Sequence, residues 1–178
     1  HKYKYKKPAK PYLRSYQPKI KPHPGQIKKA AKAILSSERP VIYAGGGAIY
    51  SNAAKELSEL NKILKVPVTN TLMGLGVYPA KNKLFLGMLG MHGTYQANMA
   101  MHNADLILAV GSRFDDRITN TPSLFAPNAK IVHIDVDPAS ISKIIKADIP
   151  IVGQVKDSLQ ALIKAVSYTH LTLPTRCL

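Results

Sequence analysis

Hydrophobic and polar residues follow two periods along this chain. Between residues 25 and 166, short unbroken apolar runs alternate with stretches whose apolar residues fall three and four apart. The first pattern suits strands buried on both faces, and the second suits helices packed along one side. Ile27, Ala30, Ala31, Ile34 and Leu35 predict a helix with Lys28, Lys29 and Lys32 opposite, ending before Pro40. Val41–Ala44 reads as a strand running into Gly45-Gly46-Gly47, a tight strand-to-helix turn. Ser51 is then the expected N-cap of a helix carrying Ala53, Ala54, Leu57, Leu60, Ile63 and Leu64 inward. Val66–Thr69 is a second strand, followed by Thr71-Leu72-Met73 and a turn at Gly74–Gly76.

The stretch from Leu86 to Arg117 organises the rest. It opens on Gly87, Gly90 and Gly93, where a missing Cβ lets backbone pass close to backbone or ligand. A helix follows over Tyr95–His102, then an apolar strand over Asp105–Gly111 that opens into the polar loop Gly111-Ser-Arg-Phe-Asp-Asp-Arg117. Residues 119–128 read as irregular, and 129–137 as a strand ending in acids. Pro138 suits the first turn of a helix with Ile141, Ile144 and Ile145 inward. Residues 148–152 form a last strand, placed at a sheet edge by Pro150. Val155, Leu159, Leu162 and Ile163 mark the final helix.

Alternating strands and helices at this spacing predict an α/β fold: a doubly wound, Rossmann-like parallel sheet with helices on both faces and right-handed crossovers. The strand ends then gather Gly45–Gly47, Thr71–Met73, Gly111–Arg117, Asp135–Asp137 and Gly153 on one rim. Open parallel sheets hold ligands at that rim, so a dinucleotide or extended phosphate ligand is the leading expectation. Asp135 or Asp137 suits a ribose hydroxyl, and Arg113 or Arg117 a pyrophosphate. The triple glycine lacks the spacing of a full dinucleotide fingerprint. His133, Asp135 and Asp137 alternate as a strand does, but no second ligand cluster joins them, and no metal site is expected. Met73, Met88, Met91, Met99 and Met101 are expected to fill core rather than to line a cofactor. No nucleophile elbow, P-loop or carboxylate pair is present, and no catalytic residue is assigned.

Composition changes this picture little. With 178 residues and 46% hydrophobic composition, one core and one domain are expected. The lone cysteine, Cys177, excludes a disulfide framework and suits a reducing, cytoplasmic setting; no apolar run suggests a membrane span or signal peptide. The net charge of +15 matters only once it is mapped: residues 1–33 hold eleven Lys or Arg and no acid. The excess belongs mostly to a leading arm with Tyr3, Tyr5, Tyr12 and Tyr16 interleaved, which can touch phosphates and bases. Its prolines and lysines read more simply as an extended linker over residues 1–24, so no nucleic-acid partner is expected.

Several long motifs carry a family resemblance. ERPVIYAGGGA, TLMGLGVYPA, LGMLGMHGTYQANMAMHNADLILAVGSRFDDR and KIVHIDVDPASISK resemble, in order, the central domain of the acetolactate synthase large, catalytic subunit. That family comprises thiamine-diphosphate enzymes that join two 2-ketoacids in branched-chain amino acid synthesis. The resemblance spans about residues 12–166. It implies a six-stranded parallel sheet of the NAD/FAD-binding kind also named DHS-like, holding an FAD with no net part in the chemistry. The implied FAD contacts are Gly45, Gly46, Thr71, Leu72, Met73, Leu89, Gly90, Met91 and His92. They continue through Gly111, Ser112, Arg113, Asp115, Arg117, Ile118, Asp135, Val136 and Gly153 to Gln154, with Arg14 a further candidate. The family usually has aspartate where Gln154 stands.

The resemblance further implies that thiamine diphosphate and magnesium belong to flanking domains of the same subunit, absent here, so the isolated domain is not expected to be catalytic. It implies a homo-oligomer of the full-length subunit and a regulatory small subunit as partners. Another thiamine-diphosphate enzyme, an oxidase, carboligase or decarboxylase, is the alternative source. SYTHLTLPTRCL, residues 167–178, departs from the family, breaks the helical pattern and reads as a non-native tail.

Overall fold

The computed structural model describes residues 21–172, so the arm with Arg14, and the last six residues with Cys177, lie outside what is described. Helix α1 (Pro24–Ser36) starts on a proline at its first turn, where the missing N–H costs nothing, and His23 Nδ1 accepts from Gly25 N–H. Strand β1 (Pro40–Ala44) leads into a short helix α2 (Gly46–Tyr50) and then α3 (Ala54–Leu64). Strand β2 (Val68–Asn70) is followed by a single 3-10 turn at Leu72–Gly74 and by β3 (Phe85–Met88). Helix α4 (Tyr95–His102) and strand β4 (Leu106–Val110) complete the central stretch. After a four-residue helix α5 (Asp116–Thr119) come β5 (Lys130–Asp135), β6 (Ile149–Val152) and α6 (Val155–Thr172).

All six strands are parallel, in the order β3-β2-β1-β4-β5-β6. This is the doubly wound order whose connections reverse direction between β1 and β4, leaving a crevice outside their carboxyl ends. Pro150 sits on the edge strand β6, where its lack of an N–H is tolerated.

The two faces of the sheet are covered unequally. On one, Ile42, Leu106, Leu108, Val132 and Ile134 pack against α1, α3 and α6 through Ile27, Ala30, Leu57, Leu60, Leu159 and Leu162. On that side Gln160 Nε2 donates to Glu56 Oε1 at 3.0 Å and Lys156 Nζ lies 3.6 Å away, linking α3 to α6. Burial resists ionisation of Glu56, but these bonds and its own backbone N–H hold its carboxyl below the usual range. On the other face, Val41, Tyr43, Ile107, Ala109 and Ile131 meet α4 through Met101. The rest of that cover comes from irregular segments through Phe114, Ala126 and Ala147.

Four expectations are corrected. Strand β3 is absent from the pattern reading, because Gly87 interrupts the apolar run Leu84–Leu89 and reads as part of a glycine-rich turn. Ser51 closes α2, donating from Oγ to Gly47 O at 2.8 Å, and α3 starts after Ala53 without a side-chain cap. No helix follows Pro138. Asp137 takes Ala139 N–H and the Ser140 hydroxyl, and Ser142 at φ 61° turns the chain into a left-handed conformation that ends any helical run. Finally, α6 continues past Ser167 through Thr172. Residues 167–172 contain no glycine or proline, and extending an established helix is easy.

Candidate functional site

A cleft of about 600 Å³ opens at the carboxyl edge of the sheet, within the range of small-molecule and cofactor sites. It lies over the β1–β4 switch point. Each wall comes from a strand end. β1 delivers Gly46, Gly47 and, one turn of α2 later, Tyr50. β2 delivers Thr71, Leu72 and Met73, fixed by Thr71 Oγ1 accepting from Gly74 N–H at 3.0 Å. β3 delivers Met88, Leu89, Met91 and His92, while β5 delivers Asp135 and, beyond its turn, Ser140.

The central wall is the loop after β4: Gly111, Ser112, Arg113, Asp115, Arg117 and Ile118. It meets β1 backbone to backbone. Gly111 has φ +56°, and a Cβ there would lie 2.7 Å from Gly47 Cα. A Cβ on Gly45 would collide with Gly111 O, and Gly47 N–H donates to that same carbonyl at 2.9 Å. The loop is further tied down by the buried Ser112, whose Oγ donates to Tyr43 O at 3.1 Å. Its neighbour Met91 N–H donates to Arg117 O at 3.2 Å, joining the β3 and β4 walls. Asn98 of α4 holds the turn at Gly90 with both halves of its amide: Oδ1 accepts from Gly90 N–H and Nδ2 donates to Gly90 O, each at 3.1 Å.

Most of the implied contacts therefore meet in one place. Gly45, Gly90 and Val136 stand directly behind or beside the lining rather than in it. Gly153 donates its N–H to Asp135 O at 2.9 Å, so it and Gln154 flank the cleft on the edge-strand side without lining it. Tyr50, Met88 and Ser140 line the cleft unanticipated, and Gly47, placed on the rim by the triple glycine, joins the implied contacts there. Tyr50 and Ser140 depend on a short helix and a turn that the pattern does not show. The methionines need correction: Met101 is core, but Met73 and Met91 are 64% and 63% exposed on the cleft walls. Asp137 lies past the end of β5 and turns its carboxylate to local backbone, so it forms no set with His133 and Asp135. Among the described residues no group of His, Cys, Asp and Glu is placed to hold a metal.

Chemically the cleft is amphipathic. Leu72, Met73 and Met91 offer apolar surface that water covers poorly. Arg113 and Arg117 carry guanidinium groups that are only loosely paired, 3.8 Å from Asp115 and Asp116 respectively. A stretch of glycine backbone at Gly46, Gly47 and Gly111, flanked by loosely paired guanidinium groups and apolar walls, fits a ligand with a phosphate centre and flat apolar ends. That is the build of FAD, and the residues present fit it. No helix among the described residues is long and apolar enough to cross a membrane.

Comparison with known proteins agrees with this architecture. The family model described as "Thiamine pyrophosphate enzyme, central domain" matches residues 27–162. The acetolactate synthase large subunit of Haemophilus influenzae is 54% identical over 159 residues, 89% of this chain and 28% of that protein. The probable acetolactate synthase large subunit of Methanocaldococcus jannaschii is 55% identical over 163 residues, 92% of this chain and 28% of that protein. The isozyme 3 large subunit of Escherichia coli is 52% identical over 155 residues, 87% of this chain and 27% of that protein. The chain thus spans a little over a quarter of the length of these relatives. It belongs to the family of thiamine pyrophosphate enzyme central domains, in the branch that resembles acetolactate synthase large subunits.

Proposed function

We propose that this chain is the FAD-binding central domain of an acetolactate synthase large subunit. In the full-length enzyme, thiamine diphosphate and magnesium would be held by the flanking domains, two 2-ketoacids would be joined with loss of carbon dioxide, and a regulatory small subunit would bind. The observation that carries the flavin reading is the cleft itself. Most of the residues implied by family resemblance line the switch-point crevice, and the crevice combines glycine backbone, two guanidinium groups and exposed apolar side chains.

In this reading the backbone of Gly46, Gly47 and Gly111 that lines the cleft lies against the diphosphate, with no side chain in between. Arg113 and Arg117 neutralise its charge, Asp135 accepts from a ribose hydroxyl, and Leu72, Met73 and Met91 cover the flat ring systems. FAD bound there would supply structure rather than a net redox step. The test is titration of the purified chain with FAD and with NAD, followed by flavin fluorescence and by displacement. FAD is expected to bind in preference to NAD, because the apolar walls suit the larger flavin ring. Equal or tighter binding of NAD rejects the assignment.

A further inference from the structure

We propose that His133, a residue outside the cleft, is the positioning residue for its central wall, and that a second proton on its buried imidazole destabilises the Gly111–Arg117 loop it holds. His133 is fully buried on β5, in the cross-strand row Tyr43–Ala109–His133. Its Nε2 lies 2.8 Å from Ser112 O, a carbonyl that can only accept, so the ring carries its proton on Nε2. That bond and the Ser112 hydroxyl on Tyr43 O fix Ser112 from two strands at once. The next loop residue but one, Phe114, is buried and packs edge-on against the His133 ring at 5.3 Å and against Tyr43 at 5.7 Å. The small Ala109 between Tyr43 and His133 in the row leaves the centre of that row without a large side chain. The loop therefore has one polar tie and one aromatic plug to His133, and Arg113 and Asp115 stand on either side of that plug.

The second ring nitrogen decides the behaviour with pH. Nδ1 is buried with no hydrogen-bond partner among the described residues. A proton there would have no acceptor and would place a charge in an apolar pocket. The groups packed around the ring are few. From β1 comes the Tyr43 phenol, itself pushed up by burial and by the Asp115 carboxylate. From the loop come Ser112 and Phe114, from β6 the apolar Pro150 in register, and from β5 itself Asp135, whose charge favours the imidazolium. Burial outweighs the Ser112 bond and Asp135, and the imidazole is held below its usual 6.5. The sign follows directly. The neutral ring's contribution is fully present above the unfolded value and is lost as pH falls below it toward the depressed folded value.

The ligand part of this inference rests on the flavin reading, and the experiment separates the two. Imidazole nitrogen NMR of the full 178-residue chain reads tautomer and titration of His133 without any ligand. FAD dissociation constants at about pH 7.5 and pH 5.5 are then compared for the wild type, His133→Gln and His133→Phe. His92, which lines the cleft, is present in all three, so its effect cancels. The neutral Nε2–H tautomer is expected near neutral pH, with amide shifts of residues 112–117 moving in step with any protonation of His133. On acidification the wild type should lose more affinity for FAD than His133→Gln, which keeps a donor but cannot be protonated. His133→Phe, which keeps the ring but loses the donor, should bind about tenfold more weakly at the higher pH. An Nδ1–H tautomer, protonation without movement of the loop amides, or identical pH profiles in wild type and His133→Gln each overturn the proposal. If His133→Phe fails to fold, the wild-type NMR still decides; if FAD fails to bind at either pH, only the flavin reading falls.

Discussion

At the scale of single residues the cleft depends on what is missing from Gly111. An L side chain at φ +56° is strained, and a Cβ would be pressed against Gly47 Cα at 2.7 Å and Ala48 N at 2.8 Å, atoms of backbone that cannot swing aside. Gly111→Ala is therefore expected to cost about 2 kcal/mol or more of stability, and urea unfolding of the two proteins measures it. An unchanged midpoint would mean that α2 moves freely away from β4. Glycine at this position is legible in the sequence because it ends an apolar strand. The exposure of Met73 and Met91 is not legible from residue type, which assigns methionine to core. The strand-end position of Met73 and the family resemblance for both point to the rim, and the convergence of two strand ends from distant segments puts them on one concave surface.

At the scale of elements, the buried strands were legible because β1, β4 and β5 are apolar on both faces, and α1, α3 and α6 because each has one apolar stripe. The failures share a physical cause: the deciding contact is non-local or conformational. Strand β3 exists through pairing with β2, and the chain after Pro138 is set by Asp137 capping and by Ser142 in a left-handed conformation. Gln154 illustrates the same point. By resemblance it belongs to the ligand site, yet the structure places it immediately before α6, with its carbonyl accepting from Ser158 N–H at 3.0 Å. Gln154→Asp would thus supply a short acceptor at a helix start and a negative charge at the positive end of the helix dipole. The expected result is a gain of about 1 kcal/mol in thermal or urea stability, with FAD affinity changed less than twofold. A clear tightening of FAD with no change in stability would return Gln154 to the ligand site.

At the scale of the whole molecule, the six-stranded order and the position of the cleft follow from the βα alternation. The side on which the chain is thickly or thinly covered does not, since that depends on which segments stay irregular. This asymmetry divides the molecule by local stability. Amides in α1, α3 and α6 are covered by side chains packed between helices and sheet, so their hydrogen exchange should proceed only through global unfolding. The segment from Gly111 to Asn128 has one four-residue helix and one 3-10 turn, and its exchange should proceed through small openings that leave the sheet intact. Exchange followed by mass spectrometry should rank the two sets in that order, and FAD should slow the second set while leaving the first unchanged. Equal protection in both would contradict it. A protease given a short exposure to the ligand-free chain would accordingly cut between residues 111 and 128 before it cuts any of the three helices. Ligand occupancy is then readable as the survival time of that one segment.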